Sequence, residues 1–258
     1  MLQRRKLAFV HVPKTAGTSL TTVLVSGWGR VRIVATSGEV DAMSDADIDN
    51  ITLLAGHFFP WQIENSRFTD FVPMTILRDP LARLVSAYRF ARERVANGDK
   101  VGPAMRYASG VSFGEFAFSS FGCYERHSQV FNLGRNPGEQ PQNLPIAVTL
   151  ERAKQRLRSM LVGTVDALPE FTQHLFAIFA HPAPPPLPRL NATEDLDDED
   201  LRISPRLRAA LEELLQPDYE LLAEGRALMR ERMARLAPSE AAPISAPEAP
   251  SDIAHQHE

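Results

Sequence analysis

The stretch Phe9-Val-His-Val-Pro-Lys-Thr-Ala-Gly-Thr-Ser-Leu20 decides the fold. Lys6–His11 reads as a short buried strand and Thr15–Val25 as a helix. Between them Pro13 and Gly17 let the backbone turn, Lys14 supplies a point charge, and Thr15, Thr18 and Ser19 supply hydroxyls. A strand, a tight turn and a helix N-terminus carrying lysine and hydroxyls make a cradle for an oxyanion, because backbone N–H groups and the helix dipole both favour negative charge there. The loop is not a Walker A sequence: Gly-x-x-x-x-Gly-Lys-Ser/Thr is absent, and the lysine precedes the glycine.

A second segment answers the first. Phe71-Val-Pro-Met-Thr-Ile-Leu77 is another apolar run, followed directly by Arg78-Asp-Pro-Leu-Ala-Arg-Leu-Val-Ser-Ala-Tyr-Arg-Phe90. Asp79 is a good N-cap, Pro80 suits the first helical position, and Leu81, Leu84, Val85 and Tyr88 keep helical apolar spacing. Arg78 therefore stands at the carboxyl end of a strand, where open α/β sheets bind ligands. Arg83 and Ser86, three apart, share one helix face. An arginine at a helix start with a nearby hydroxyl suits a dianionic phosphate, which guanidinium binds in bidentate fashion.

The pair Pro13–Ser19 and Arg78–Phe90 resembles the nucleotide-binding signature of sulfotransferases that use 3′-phosphoadenosine 5′-phosphosulfate. The variant His-Val-Pro-Lys-Thr-Ala-Gly-Thr-Ser is most similar to the carbohydrate branch, which includes heparan sulfate 2-O- and 6-O-sulfotransferases. The resemblance implies a P-loop-NTPase-like parallel sheet flanked by helices. It assigns the 5′-phosphosulfate to Lys14, Thr15, Ala16, Gly17, Thr18 and Ser19, and the 3′-phosphate to Arg78 and Ser86. Weaker matches run through Gly56-His57, Ser128–Gly134, Leu161–Asp166 and Asp218-Tyr219, so the likeness spans roughly residues 5 to 225, with only the two nucleotide motifs specific. It also implies a catalytic histidine after the third strand, an acceptor hydroxyl on a glycan or small molecule, and adenosine 3′,5′-bisphosphate as product; no metal is expected, because the transferred sulfuryl group carries a single negative charge. Golgi members carry an N-terminal membrane anchor that this sequence lacks, which makes the expectation a soluble, bacterial-type relative.

Composition sets the outer limits. The chain has 258 residues, 44% hydrophobic and 23% charged, enough for one sizeable core. A net charge of −4 points to neither nucleic acid nor an anionic membrane as partner. The single cysteine, Cys123, excludes an internal disulfide and fits the reducing cytoplasm, where a free buried thiol is its expected state. The N-terminus runs straight into the first strand with no signal-peptide pattern, and no apolar run approaches transmembrane length.

Further strands are expected at Val31–Ala35, Thr52–Ala55 and Met160–Val162. Helices are expected at Asp45–Asp49, Pro80–Asn97, Ser112–Phe118, Thr149–Arg158, Pro169–Ala180 and Pro205–Leu236, the last broken near Pro217. Strands alternating with helices argue for α/β layering around a mostly parallel sheet. The Gly- and Pro-interrupted 97–145 region reads as an irregular functional loop or lid. His181–Pro188 reads as a stiff polyproline connector. The domain is expected to span 1–236, with 237–258 an Ala/Pro-rich tail too poor in large apolar residues to fold.

Sulfuryl transfer needs a held donor, neutralisation of the leaving phosphate and a base for the acceptor hydroxyl. Lys14 suits the second task, because charge develops on the bridging oxygen. His57 suits the third, since an imidazole accepts a proton near neutral pH; a structural histidine capping the strand end is the alternative. Gly56 before it would leave room for substrate. His11 is the weaker second base, and His127 and His174 show no partner in sequence. Arg78 could instead pair with Asp79. The run Arg83, Arg89, Arg92, Arg94 reads mostly as a solvated face. Gln129 falls where an acceptor contact is uncertain, and Phe58, Phe59 and Trp61 either stack on a ligand ring or pack in the core. Two other readings remain open: a P-loop-like nucleotide or small-molecule kinase, and an inactive nucleotide-binding module.

Overall fold

The computed structural model describes residues 5–140, 143–188, 201 and 203–235; the expected domain end at 236 and the tail after it lie outside these residues. Five strands form one wholly parallel sheet: β1 (Lys6–Val10), β2 (Val31–Val34), β3 (Leu53–Gly56), β4 (Phe71–Leu77) and β5 (Leu161–Thr164). Their order is β2-β3-β1-β4-β5. All five strands stand where the apolar runs place them, within one or two residues.

The central strand shows why these runs are continuously apolar. Leu7 and Phe9 enter one core with Leu20, Leu24, Trp28, Phe171 and Leu175, while Ala8 and Val10 enter another with Leu54, Val130, Leu133, Leu157 and Leu221. Alternate residues thus face opposite helix layers, so both faces of the sheet are covered and neither can be polar. Helices Gly17–Gly27 and Leu168–Ile178 cover the first face; Ser128–Gly134, Ile146–Leu157 and Gln216–Arg235 cover the second. A third cluster joins Leu84, Val85 and Tyr88 of helix Pro80–Ala96 to Phe113, Phe116, Leu211 and Leu215. The chain leaves β1 towards β2 and leaves β4 towards β5, so the topological switch lies at the carboxyl ends of β1 and β4.

The 97–145 region departs from its expectation. Beside the expected helix, found at Phe113–Phe118, it holds three short ones, Pro103–Gly110, Cys123–Arg126 and Ser128–Gly134, and every residue of the last is buried. Elements of four to eight residues give too few turns for apolar periodicity to register. The same brevity hides Ser37–Asp41 and Pro60–Ile63. The long C-terminal helix is broken as expected, into Pro205–Leu214 and Gln216–Arg235, with Pro217 in the first turn of the second. Residues 181–188 lie in neither helix nor strand. Cys123 is half-buried rather than buried.

Candidate active site

The loop after β1 is bent into an unusual shape. Lys14 and Ala16 both take left-handed backbone angles, φ 68° and 60°. Such angles cost a residue with a Cβ about 1–3 kcal/mol and cluster at ligand clamps. Three side chains hold them: Thr15 Oγ1 donates to the Val12 carbonyl at 2.8 Å, Arg83 Nη1 to that of Pro13 at 3.3 Å, and Arg78 Nη1 to that of Lys14 at 3.2 Å. In a trans peptide the C=O and N–H point opposite ways, so fixing these carbonyls fixes the amides of Lys14 and Thr15. The helix then starts at Gly17 with Ala16 as a cap that makes no side-chain hydrogen bond. Its first N–H groups have no acceptor within the helix and suit an anion.

These residues open onto a cleft of about 640 Å³, lined by Lys14, Ala16, Gly17, Thr18, Ser19, Arg78, Ser86, His11 and His57 on one side. Phe90, Val165, Leu168, Pro169, Leu187 and Pro188 supply apolar surface. The structure thus gathers every residue assigned from the sequence except the side chain of Thr15, which is fully buried and turned back on Val12. The Lys14 ammonium sits 4.1 Å from the centroid of the Phe90 ring. Burial, and next Arg78, push its pKa below the usual lysine value, with Glu93 and Glu125 opposing. Burial and the Arg83 guanidinium push Arg78 down as well. The cleft is therefore short of negative charge, which an arriving anion would supply.

Two imidazoles of the cleft lining stack, His11 on His57, with centroids 4.5 Å apart at 25°. His57 is exposed, and its Nδ1 lies 3.1 Å from the His11 carbonyl oxygen. A carbonyl only accepts, so Nδ1 carries a proton, and in the neutral ring the lone pair is then on Nε2, the tautomer a base requires. His11 is pushed down to about 3 by burial first, then by His57 and Lys14, and is neutral. The glycine before His57 has a different role from the one expected. Gly56, at φ 140°, would place a Cβ 2.0 Å from the Val34 carbonyl, so neighbouring strand β2 occupies the space, not substrate.

Several other side chains also differ from their sequence readings. Arg83 is not solvated: it is 1% exposed, paired with Glu125 at 3.1 Å, and donates to the Glu125 carbonyl as well. Arg92 and Arg94 do face outward, onto Tyr88 and Asp99. Phe58 is core, whereas Phe59 and Trp61 stack on one another at 6.2 Å beneath the Arg135 guanidinium. Asp79 caps its helix by accepting from the Ala82 amide at 2.8 Å, and its charge also acts on Arg78, opposing the downward push of burial on that arginine. His127 has a partner after all, the buried Asp218, at 3.0 Å. Gln129 is fully buried and bonds both backbone groups of Arg78. The sequence signal for it was the weak family match over Ser128–Gly134, which gave no partner for the amide.

Among the described residues no helix is long and apolar enough to cross a membrane. No curated protein matches the sequence significantly. Among solved structures, a mouse sulfotransferase, SULT7A1, complexed with PAP, aligns over 88% of this chain and 89% of its own at 11% identity. Its TM-score of 0.35 is too low to bear on fold or site. The sequence itself is decisive: the Sulfotransferase family model matches residues 1–223, which takes in the loop after β1, Arg78, Ser86 and His57. The chain belongs to the sulfotransferase family.

Proposed function

We propose that this chain transfers a sulfuryl group from 3′-phosphoadenosine 5′-phosphosulfate to an acceptor hydroxyl, with a carbohydrate as the acceptor class and the cytoplasm as its setting. The observation that carries the reading is the convergence of Lys14, the start of helix Gly17–Gly27, Arg78, Ser86 and His57 on one cleft. Its volume is ample for a nucleotide. Lys14 and the loop amides suit the phosphosulfate end, Arg78 and Ser86 suit a separate phosphate, and the apolar surface of Val165, Leu168 and Leu187 suits a purine face. The carbohydrate assignment rests on the His11–Ser19 wording of the loop alone, and the cytoplasmic one on the lone Cys123.

The bound donor supplies the sulfuryl group and a phosphate leaving group. His57 Nε2 accepts the proton of the acceptor hydroxyl as its oxygen bonds to sulfur, while Nδ1–H stays on the His11 carbonyl. The electron pair of the breaking S–O bond goes to the phosphate oxygen, where Lys14 and the fixed amides meet the growing charge. The ring of Phe90 holds the ammonium in the cleft beforehand.

Thermal melting tests the reading. Adenosine 3′,5′-bisphosphate at about 100 times its Kd should add roughly 2.7 kcal/mol of stability. Mg-ATP at equal concentration should add far less, because it lacks a 3′-phosphate for Arg78 and Ser86. An equal or larger shift with Mg-ATP overturns the proposal.

A further inference from the structure

Gln129 takes no part in the cleft wall, yet it touches the residue on which donor recognition depends. Its Oε1 accepts from the Arg78 N–H at 2.8 Å and its Nε2 donates to the Arg78 carbonyl at 3.0 Å. The carboxamide acts as a single residue of neighbouring strand, pairing both backbone groups of Arg78 immediately after β4 ends. Without it those groups would be left without these partners beside a fully buried side chain, an arrangement that folded proteins avoid. Fixing the backbone of Arg78 fixes the direction in which its side chain leaves towards the Lys14 carbonyl and the cleft.

The helix carrying the clamp is itself anchored. His127, the residue before it, bonds Asp218 of helix Gln216–Arg235 at 3.0 Å. Within the helix, Asn132 donates to the Ser128 carbonyl at 2.6 Å and to the Ser128 hydroxyl at 3.1 Å, which stiffens the turn that carries Gln129. The position of Arg78 is thereby referred to the packed C-terminal helix and not only to the loop it supports.

We infer that Gln129 is a positioning residue for the 3′-phosphate: through the Arg78 backbone it sets how strongly the cleft prefers a nucleotide bearing that group. This rests on the donor reading above. Only a neutral amide of this length both accepts and donates here. A methionine does neither, and a carboxylate accepts from the Arg78 N–H but repels the carbonyl.

The test uses the full chain and calorimetric affinities for two probes, adenosine 3′,5′-bisphosphate and 5′-AMP, which differ by the 3′-phosphate. The ratio of the two is the readout, because a merely structural role would weaken both alike. The wild type should prefer the bisphosphate by about 10- to 150-fold, the range of a charge-assisted contact. In Gln129→Met the ratio should fall about tenfold, with 5′-AMP affinity changed less than about twofold. In Gln129→Glu the ratio should be low at pH 8. It should return towards the wild-type ratio measured at the same pH as the buried carboxyl, raised by desolvation, takes up a proton on acidification and regains a donor. If Gln129→Met does not fold, the pH dependence of Gln129→Glu decides. A folded variant with an unchanged ratio, an equal loss for both probes, or failure of both variants to fold overturns the clamp. A wild type that does not discriminate at all removes the donor reading instead.

Discussion

The His11 ring occupies the space that any side chain on Gly17 would need: a Cβ there would stand 2.0 Å from the imidazole. The same ring stacks on His57 at 4.5 Å. The first residue of the anion-binding helix and the proposed base are thus two sides of one packed contact. Gly17→Ala should force His11 aside, cost about 1–3 kcal/mol as overpacking, and weaken nucleotide binding with it. A double-mutant cycle with His11→Ala should recover about 0.5–3 kcal/mol as coupling. Additive losses in denaturant melts would show that the two residues act independently.

His11 also gives the fold an acid limb. Folded, it is held down to about 3; unfolded, an imidazole titrates near 6.5. Between those values the unfolded chain binds a proton that the folded chain refuses. Stability is therefore complete above about pH 6.5 and is lost as pH falls towards 3. At pH 5 the loss from this group reaches about 2 kcal/mol. His174 and His181, pushed down by burial, act in the same direction. His11→Gln should flatten the limb by about that amount without abolishing it, whatever happens to the baseline. Chemical melts across pH 4–8 that keep the wild-type slope would remove the assignment.

Arg78→Ala should weaken adenosine 3′,5′-bisphosphate binding by roughly 1.5–3 kcal/mol, the worth of a charge-assisted contact. Ser86→Ala should cost about 1 kcal/mol, one neutral hydrogen bond. Titration calorimetry on folded proteins ranks the two. Unchanged affinity for Arg78→Ala would take the phosphate away from this arginine.

Glu125→Ala should be among the most damaging single substitutions. It leaves the Arg83 guanidinium, 1% exposed, without its counter-charge, a loss of about 3–5 kcal/mol. The exposed pair Arg226–Asp166 should yield less than about 1 kcal/mol to Asp166→Ala. Because Arg83 also holds the Pro13 carbonyl, Glu125→Ala should weaken nucleotide binding too. Equal melting curves for the two variants would contradict this ranking.

His57→Ala should lower turnover by about 10²–10⁴ while leaving nucleotide affinity near that of the wild type, since the ring is assigned to the acceptor. Lys14→Ala should lower both, because the ammonium meets the donor before and during transfer. Normal turnover by a folded His57→Ala protein would move the base elsewhere, with His11 next to be tested.

The strands, the two helix starts and the residues facing the cleft were legible in the chain because they obey local rules. Leu7 to Val10 are apolar on both faces, Asp79-Pro80 is a helix start, and a lysine between a strand and Gly17 is an anion loop before any packing is known. What tertiary structure alone decided is which polar groups serve those residues from afar. Glu125 lies 42 positions from Arg83, Gln129 lies 51 from Arg78, and Asp218 lies 91 from His127. Such partners leave no periodic trace, because they answer a buried charge or an unpaired backbone group that exists only after the layers close. Gly56 makes the same point: the sequence suggests space kept free for substrate, and only the register of β2 against β3 shows that the Val34 carbonyl fills it.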